Sequence, residues 1–231
     1  MKVIGMIGGM SWESTVSYYQ AINRFTNQKL GGFHSAKICL YSVDFSEIEE
    51  LQRAGNWAAT ATILSDAATS LESAGADCIL ICTNTMHKVA SEVQASVTIP
   101  LIHIADPTGQ ALQTHGVKKV GLLGTRFTME QEFYRSRIEQ EFGISVLVPN
   151  QEQQNDVHRI IYEELCHGKI LDTSRAIYLD VIQSLKADGA EAVILGCTEI
   201  ALLVKQEHTD TPLFDTTELH ALSAVEFALS D

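Results

Sequence analysis

The stretch GADCILICTNT, residues 75–85, decides the fold once it is compared with GAEAVILGCTE, residues 189–199. Each stretch begins with Gly-Ala, continues as an apolar run typical of a buried strand, and ends in small polar residues. Gly75 and Gly189 are 114 residues apart (189 − 75), and the same separation relates Thr83 to Cys197 without a gap. This internal similarity indicates that one structural unit occurs twice in the chain.

Two further pairs of segments support the duplication. KVIGMIGG at 2–9 matches KVGLLGT at 119–125, and TIPLIHIADPT at 98–108 resembles DTPLFDTTE at 210–218. The uninterrupted Val, Ile and Leu runs are typical of parallel strands covered on both faces, and helical patterns separate them. The sequence therefore predicts an α/β protein of two pseudo-symmetric lobes, each with a mainly parallel four-stranded sheet flanked by helices.

Composition and charge restrict the classes of function. The 231 residues are 45% hydrophobic and carry a net charge of −13, which disfavours binding to nucleic acid and to anionic membranes. The opening MKVIGMIGGM is interrupted by glycines and predicts a first strand, not a signal peptide, and no apolar run is long enough to span a membrane. The five cysteines lack the spacing of zinc ligands, which predicts reduced thiols and a cytoplasmic location.

The predicted lobes comprise residues 1–104 and 105–213. Open parallel sheets bind ligands at the carboxyl ends of their strands, so we expect the site in the crevice between the lobes, with Thr83 and Cys197 across it. Because adjacent strand residues point to opposite sides, Cys82 and Thr83 enter one cleft together only if the strand bulges. A bulge that brings Cys82 into the site in place of Thr83 remains an alternative.

Cys197 is the candidate for acid/base chemistry. It ends an apolar run, and CTEIALLV indicates that a helix begins directly after it. The positive end of a helix lowers the pKa of a nearby thiol, so the sequence predicts a thiolate near neutral pH. The hydroxyls and amides of TNT in one lobe and CTE in the other are donors suited to a carboxylate.

Four segments carry a family resemblance: GMIGGMSWEST (5–15), TNTMH (83–87), GLLGTRFT (121–128) and GCTEI (196–200). Together they resemble the aspartate and glutamate racemases, and most closely the L-aspartate/glutamate-type branch. The resemblance implies an isomerase that uses no cofactor, pyridoxal phosphate included, and that exchanges protons at both faces of the Cα of an amino-acid substrate. It further implies a homodimer, and a segment 214–231 that packs back on the first lobe.

One catalytic position departs from the family pattern. The resemblance implies that Cys197 deprotonates the L-isomer and that Thr83 stands where the other catalytic cysteine usually lies. A hydroxyl is a much weaker acid than a thiol, so Thr83 can donate a proton but is a poor unaided base. Thr83 as no more than a helix cap and carboxylate donor remains an alternative.

The resemblance also implies a set of substrate-binding residues. Gln52 and Arg53 are both candidates for the side-chain carboxylate, and the sequence does not choose between them. His167 stands where the family often has Lys, which leaves its role open, and Thr128 with Gln131 also fits a helix capping box. The implied binding residues are Met10 with neighbouring Ser11, Gln52, Thr83, Asn84, Thr85, Thr125, Thr128 and Thr198.

Two other functions remain open from the sequence. A single thiol in the site also resembles the arylmalonate-type decarboxylases, in which one cysteine protonates a carbanion left by loss of CO2. A protein that has lost half of its catalytic pair can instead bind an acidic amino acid without converting it. Chiral products, CO2 release, or binding without proton exchange separate these functions.

Overall fold

The computed structural model describes residues 1–230, which form two compact units. The first unit comprises Met1–Ile104 together with the chain from His220 onward, and the second comprises Ala105–Leu219. Each unit contains a parallel sheet with helices packed against it. The predicted α/β fold class with two parallel sheets is confirmed.

The first unit has a three-stranded parallel sheet. Its elements are β1 (Ile4–Gly8), α1 (Trp12–Leu30), β2 (Ile38–Ser42), α2 (Phe45–Arg53), α3 (Trp57–Ser73), β3 (Cys78–Ile81), a 3-10 helix (Thr85–Val89) and α4 (Ala90–Ala95). The strand order is β2-β1-β3. Side chains that alternate along the strands pack on opposite faces, against α3 and α4 on one side and against α1 and the C-terminal helix on the other. Both faces of β1 and β3 are therefore buried, whereas the edge strand β2 is partly exposed.

The fourth strand expected in the first unit, within IPLIHI, is reduced to one bridge. Leu101 pairs with Ile79 in parallel register, the Ile79 N–H donates to the Pro100 carbonyl at 2.9 Å, and the Ile102 N–H donates to the Ile79 carbonyl at 3.0 Å. The pairing does not continue past Ile102, and a helix begins at Ala105. The prediction of four strands is wrong for this unit because the segment beside β3 forms too few ladder bonds for a strand.

The second unit has a four-stranded parallel sheet flanked by helices. Its elements are α5 (Ala105–Thr114), β4 (Lys119–Gly124), α6 (Arg126–Glu130), α7 (Glu132–Phe142), β5 (Ser145–Leu147), α8 (Gln151–Glu163), a 3-10 helix (Leu165–His167), α9 (Asp172–Ala187), β6 (Ala192–Gly196), α10 (Ile200–Leu203), a 3-10 helix (Gln206–His208) and β7 (Leu213–Asp215), after which the chain continues into α11 (Thr216–Leu229). The strand order is β5-β4-β6-β7. On one face of this sheet, a cluster of buried apolar side chains packs between the strands and the helices α8 and α9.

The duplication is visible in the hydrogen bonds of the two sheets. The Val193 N–H donates to the Pro212 carbonyl at 2.9 Å, which repeats the bond from Ile79 to Pro100. Ile79 and Val193 are again 114 residues apart. The glycines that open the two matched stretches both have positive φ, 89° and 97°, as a tight helix-to-strand turn requires. The repeat therefore extends from the sequence to individual backbone contacts.

The returning C-terminal segment begins later than residue 214. Leu213–Asp215 forms β7 beside β6, and the Thr216 hydroxyl donates to the Leu195 carbonyl at 3.0 Å, so the second unit continues to Leu219. From His220, α11 packs in the core of the first unit. The expected boundary at 213 came too early because DTPLFD pairs with β6 before the chain returns. Within residues 1–230, no helix combines the length and apolarity that a membrane crossing requires.

Asp215 at the end of β7 gives the stability of the fold a pH dependence. Burial raises the pKa of this carboxyl to about 6, although it accepts a hydrogen bond from the Thr217 N–H at 2.8 Å. The folded-state pKa lies above the unfolded value of about 3.9, so stabilisation by this group is present below about pH 4 and is lost as pH rises to about 6. We expect Asp215→Asn to unfold like the wild type near pH 4 and to gain about 1–2 kcal/mol near pH 7 in urea denaturation. A gain that is the same at both pH values contradicts the assignment.

Candidate functional site

The β1–α1 loop presents a rigid turn at the carboxyl end of the first sheet. Gly9 has φ 93°, and its N–H donates to Thr15 Oγ1 at 2.7 Å. Thr15 Oγ1 donates in turn to the Ser11 carbonyl at 2.9 Å, while Ser11 caps α1. A side chain at Gly9 would place a Cβ 2.2 Å from the Val43 carbonyl oxygen, so only glycine fits. Met10, predicted to bind substrate, is buried between these fixed positions.

Cys82 and Thr83 occupy different environments at the end of β3. Cys82 is 1% exposed and packs with Met6 and Leu80 in the core beneath α1 and α11, where burial raises the pKa of its thiol. Its carbonyl accepts a hydrogen bond from the Ser14 hydroxyl at 3.0 Å. Thr83 is half-buried, so it retains access to solvent. Of the two residues, Thr83 is the one that a small molecule can reach.

Backbone and histidine contacts hold the turn that carries Thr83. The Thr83 N–H donates to the Ile81 carbonyl at 2.8 Å, and His87 Nδ1 lies 2.8 Å from the Thr83 carbonyl oxygen. A carbonyl oxygen only accepts, so Nδ1 carries the proton, and Nε2 accepts from the Ile104 N–H at 3.2 Å. His87 is thereby a neutral structural hydrogen bonder. The predicted binding residues Asn84 and Thr85 lie buried at the same turn.

The corresponding edge of the second sheet carries two threonines and the candidate thiol. Gly124 and Gly196 are register partners on β4 and β6, so the residues that follow them, Thr125 and Cys197, leave the sheet side by side. Thr125 caps α6 by accepting from the Thr128 N–H at 3.3 Å, and both threonines are buried. Thr128 lies within α6, which ends at Glu130. The capping box of Thr128 with Gln131 is therefore wrong.

Cys197 lies against a carboxylate. It is 9% exposed, and its Sγ donates to Glu199 Oε2 at 2.9 Å. Burial, and after it the negative charge of Glu199 and the neighbouring Cys166, raise the pKa of the thiol well above its ordinary value. The prediction of a thiolate favoured by a helix N-terminus is wrong, because α10 has only four residues and an acidic side chain lies at its start. Thr198, a predicted binding residue, is buried beside the thiol.

Glu199 is a functional candidate that the sequence did not single out. In the sequence it is one member of the donor run CTE, yet its side chain is 3% exposed and its carboxylate accepts a hydrogen bond from the Cys197 thiol. The available signal was an acidic residue two positions after a cysteine at the end of a strand. Turn geometry decides whether such a side chain folds back on the thiol, and the sequence alone does not give that geometry.

The structure distinguishes the two residues that are candidates for binding the side-chain carboxylate of the substrate. Gln52 is buried on α2, and its Nε2 contacts Met86 Sδ at 2.9 Å, within the turn that follows Thr83. Arg53 points outward, with 72% of its side chain exposed, and its ion pair with Glu49 is 3.8 Å long. His167 is exposed in a 3-10 helix. Gln52 thus adjoins the first-unit site residues, whereas Arg53 faces solvent.

The predicted site residues therefore form one group on each unit. The group of the first unit lies at or next to the carboxyl ends of β1 and β3 and comprises Met10, Thr83, Asn84, Thr85 and Gln52. The group of the second unit lies at the carboxyl ends of β4 and β6 and comprises Thr125, Thr128, Cys197 and Thr198. Among residues 1–230, no group of three or more His, Cys, Asp or Glu side chains has an arrangement that could hold a metal ion.

Residues 7–224 match the Asp/Glu/Hydantoin racemase family. The match covers both units and every site residue named above. The chain belongs to the Asp/Glu/Hydantoin racemase family. Membership makes the protein an isomerase, and the resemblance that the sequence motifs predicted is confirmed.

Several racemase relatives span the whole chain. A Yersinia pestis protein assigned provisionally as an Asp/Glu racemase is 54% identical over 100% of both chains, with a TM-score of 0.92. An aspartate racemase homologue from Pyrococcus horikoshii OT3 is 36% identical over 100% of both chains, with a TM-score of 0.86. The broad specificity amino-acid racemase RacX of Bacillus subtilis (strain 168) is 22% identical over 99% of each chain. The family assignment thus rests on full-length similarity.

Proposed function

We propose that the protein is a cofactor-independent racemase of the acidic amino acids aspartate and glutamate. The observation that carries the proposal is the equivalence of Thr83 and Cys197, which follow matched strands 114 residues apart and place one hydroxyl and one thiol at equivalent positions. Named relatives support the substrate class: one is an aspartate racemase homologue, and another is a racemase of broad specificity. Small polar residues around both positions suit an amino-acid carboxylate.

The reaction exchanges protons on opposite faces of one bound Cα. The Cys197 sulfur removes the α-proton of the L-isomer, and the Thr83 hydroxyl donates a proton to the other face of the resulting carbanion. Solvent water then restores the Thr83 hydroxyl. Hydroxyl and amide donors of Thr125, Thr198 and Asn84 stabilise the charge that develops on the α-carboxylate.

Gln52 is the proposed donor to the side-chain carboxylate of the substrate. It is buried on α2, whereas the neighbouring Arg53 is exposed and ion-paired. An amide donor binds a carboxylate through a hydrogen bond without a full positive charge, so we expect modest affinity for aspartate and glutamate. Homodimer formation and a cytoplasmic location stay predictions.

The direct test is incubation of the wild type with the L- and D-isomers of aspartate and glutamate, followed by chiral chromatography. We expect inversion of both amino acids, without pyridoxal phosphate and with no CO2 released from arylmalonates. Inversion of neither amino acid contradicts the proposal. CO2 release from an arylmalonate would identify a decarboxylase, and thermal stabilisation by glutamate without inversion would identify a binding protein.

Thr83 provides a prediction about the direction of the reaction. We expect Thr83→Cys to raise kcat with the D-isomers by at least about tenfold, because a thiol ionises near pH 8.5 and a hydroxyl scarcely ionises. L and D forms have equal free energy in water, so kcat/KM must remain equal in the two directions in every variant. Thr83→Ser, which keeps the hydroxyl, is the matched control and should resemble the wild type. An unchanged kcat in Thr83→Cys contradicts an acid/base role for position 83.

A further inference from the structure

The thiol of Cys197 and the carboxylate of Glu199 form a buried pair in the second unit. Their heavy atoms are 2.9 Å apart, and the two residues are 9% and 3% exposed. The S–H donates to Oε2, so the carboxylate is an immediate acceptor for the thiol proton. Cys197 lies at the end of β6 and Glu199 at the start of α10, so a single short turn holds both groups in contact.

A thiol in this setting cannot supply a free thiolate at low cost. Burial disfavours the ionised sulfur, and a second negative charge at 2.9 Å disfavours it further. If the thiol proton moves to Glu199, the pair still carries only one negative charge, now on the sulfur. We therefore expect the thiol to lose its proton to Glu199, because any other acceptor would leave two adjacent anions.

We propose that Glu199 is the catalytic proton acceptor for Cys197, so that the base acting on the L-substrate is a thiolate whose proton resides on the Glu199 carboxyl. This inference rests on the proposed racemase function. In the first step the S–H bond breaks and an O–H bond forms on Glu199. In the second step the thiolate takes the α-proton, which leaves a neutral thiol, a protonated Glu199 and a carbanion at Cα.

The cycle closes through solvent. Thr83 gives its proton to the carbanion and takes one from water, and Glu199 returns its proton to water, so the protein regains its starting charge. No oxidant or cofactor enters either step. Two ionisable groups that face the pair are Cys166 in the 3-10 helix Leu165–His167 and Tyr178 on α9. Tyr178 also faces Glu164, and its buried hydroxyl donates to the Val157 carbonyl at 3.1 Å.

Substitution Glu199→Gln distinguishes a catalytic carboxylate from a charge that only suppresses the thiolate. The amide keeps the size of the side chain but cannot accept the thiol proton. We expect the formation of Cα-deuterated D-glutamate from L-glutamate in D2O to fall by about 10²- to 10⁴-fold, the usual contribution of a general base. A merely suppressive carboxylate predicts the reverse, because its removal would make the thiol more acidic, so exchange equal to or faster than that of the wild type overturns the proposal.

The pH dependence of Cys197 alkylation by iodoacetamide, followed by mass spectrometry of its peptide, gives a readout independent of racemisation. In Glu199→Gln we expect the alkylation midpoint to move to lower pH, since the neighbouring charge is gone. An alkylation midpoint that stays at the same pH contradicts the pairing of Cys197 with Glu199, whether or not racemisation changes. If the wild type exchanges no substrate proton, the proposed function fails, yet the shift in alkylation still tests the pair.

Two control variants complete the design. Glu199→Asp retains a carboxylate at a greater distance and should recover part of the exchange lost in Glu199→Gln. Glu163→Gln removes the same charge from an exposed position of the second unit and should leave both exchange and the alkylation midpoint unchanged. Equal losses in Glu199→Asp and Glu199→Gln, with normal folding by circular dichroism, contradict a role based on proton transfer.

Discussion

Cys197→Ala loses the racemisation of L-glutamate by about 10³- to 10⁴-fold, because no other ionisable sulfur replaces it as the base toward the L-isomer. Alanine fills most of the buried volume of cysteine, so we expect the variant to fold. Polarimetry of L-glutamate solutions with matched enzyme concentrations measures the loss. Activity within tenfold of the wild type would exclude Cys197 from the reaction.

Cys82→Ala is the matched control for this result. Its thiol is more deeply buried than that of Cys197, and it packs among core side chains of the first unit. Truncation of a small core residue costs about 1 kcal/mol of stability, so we expect a lower melting temperature with racemisation largely retained. A loss in Cys82→Ala as large as that in Cys197→Ala shows that Cys82, and not Thr83, faces the substrate.

Gly9→Ala destabilises the first unit by more than about 3 kcal/mol, the largest effect on stability that we expect from a single methyl group in the site. The backbone at Gly9 has φ 93°, which strains any residue with a Cβ. The added Cβ would also lie 2.2 Å from the Val43 carbonyl oxygen and 2.8 Å from the Val43 nitrogen, neither of which is a movable side chain. Urea denaturation followed by circular dichroism gives the free energy of unfolding.

Gly143→Ala separates backbone strain from the steric contact. Gly143 ends α7 with φ 67°, and a Cβ there meets no atom within 4 Å. The cost should therefore be only that of the left-handed backbone, about 1–2 kcal/mol. Equal losses in Gly9→Ala and Gly143→Ala contradict the close approach of Val43, and they leave the β1–α1 loop with no steric reason for its glycine.

The sequence predicted the parts of the fold that are repeated. The 114-residue separation relates similar residues in the sequence. In the structure it relates equivalent backbone hydrogen bonds, from Ile79 to Pro100 and from Val193 to Pro212. The symmetry is incomplete at the fourth strand, because Leu101 forms one isolated bridge whereas its counterpart Leu213 begins β7, and a helix follows each segment. Apolar content does not distinguish a strand from a single bridge.

The candidate site was predictable where strand geometry alone decides it. The alternation of side chains placed Cys82 in the core and left Thr83 reachable, as the repeat had indicated. The sequence does not distinguish adjacent helix residues such as Gln52 and Arg53. Only the packing of α2 against Met86 shows that Gln52 is the buried one. The environment of Cys197 was mispredicted, because it depends on how Glu199 turns back within three residues, which no periodicity encodes.

The location of solvent hydrogen after a partial reaction tests the two-face mechanism most directly. L-Glutamate is incubated with the wild type in D2O, the reaction is stopped early, and NMR measures Cα deuterium separately in the L- and D-isomers. Proton removal on one face and delivery on the other predict that the D-product carries deuterium while the remaining L-substrate keeps its protium. A D-product that retains the original protium means that a single group moves the proton, and it contradicts the roles of Cys197 and Thr83.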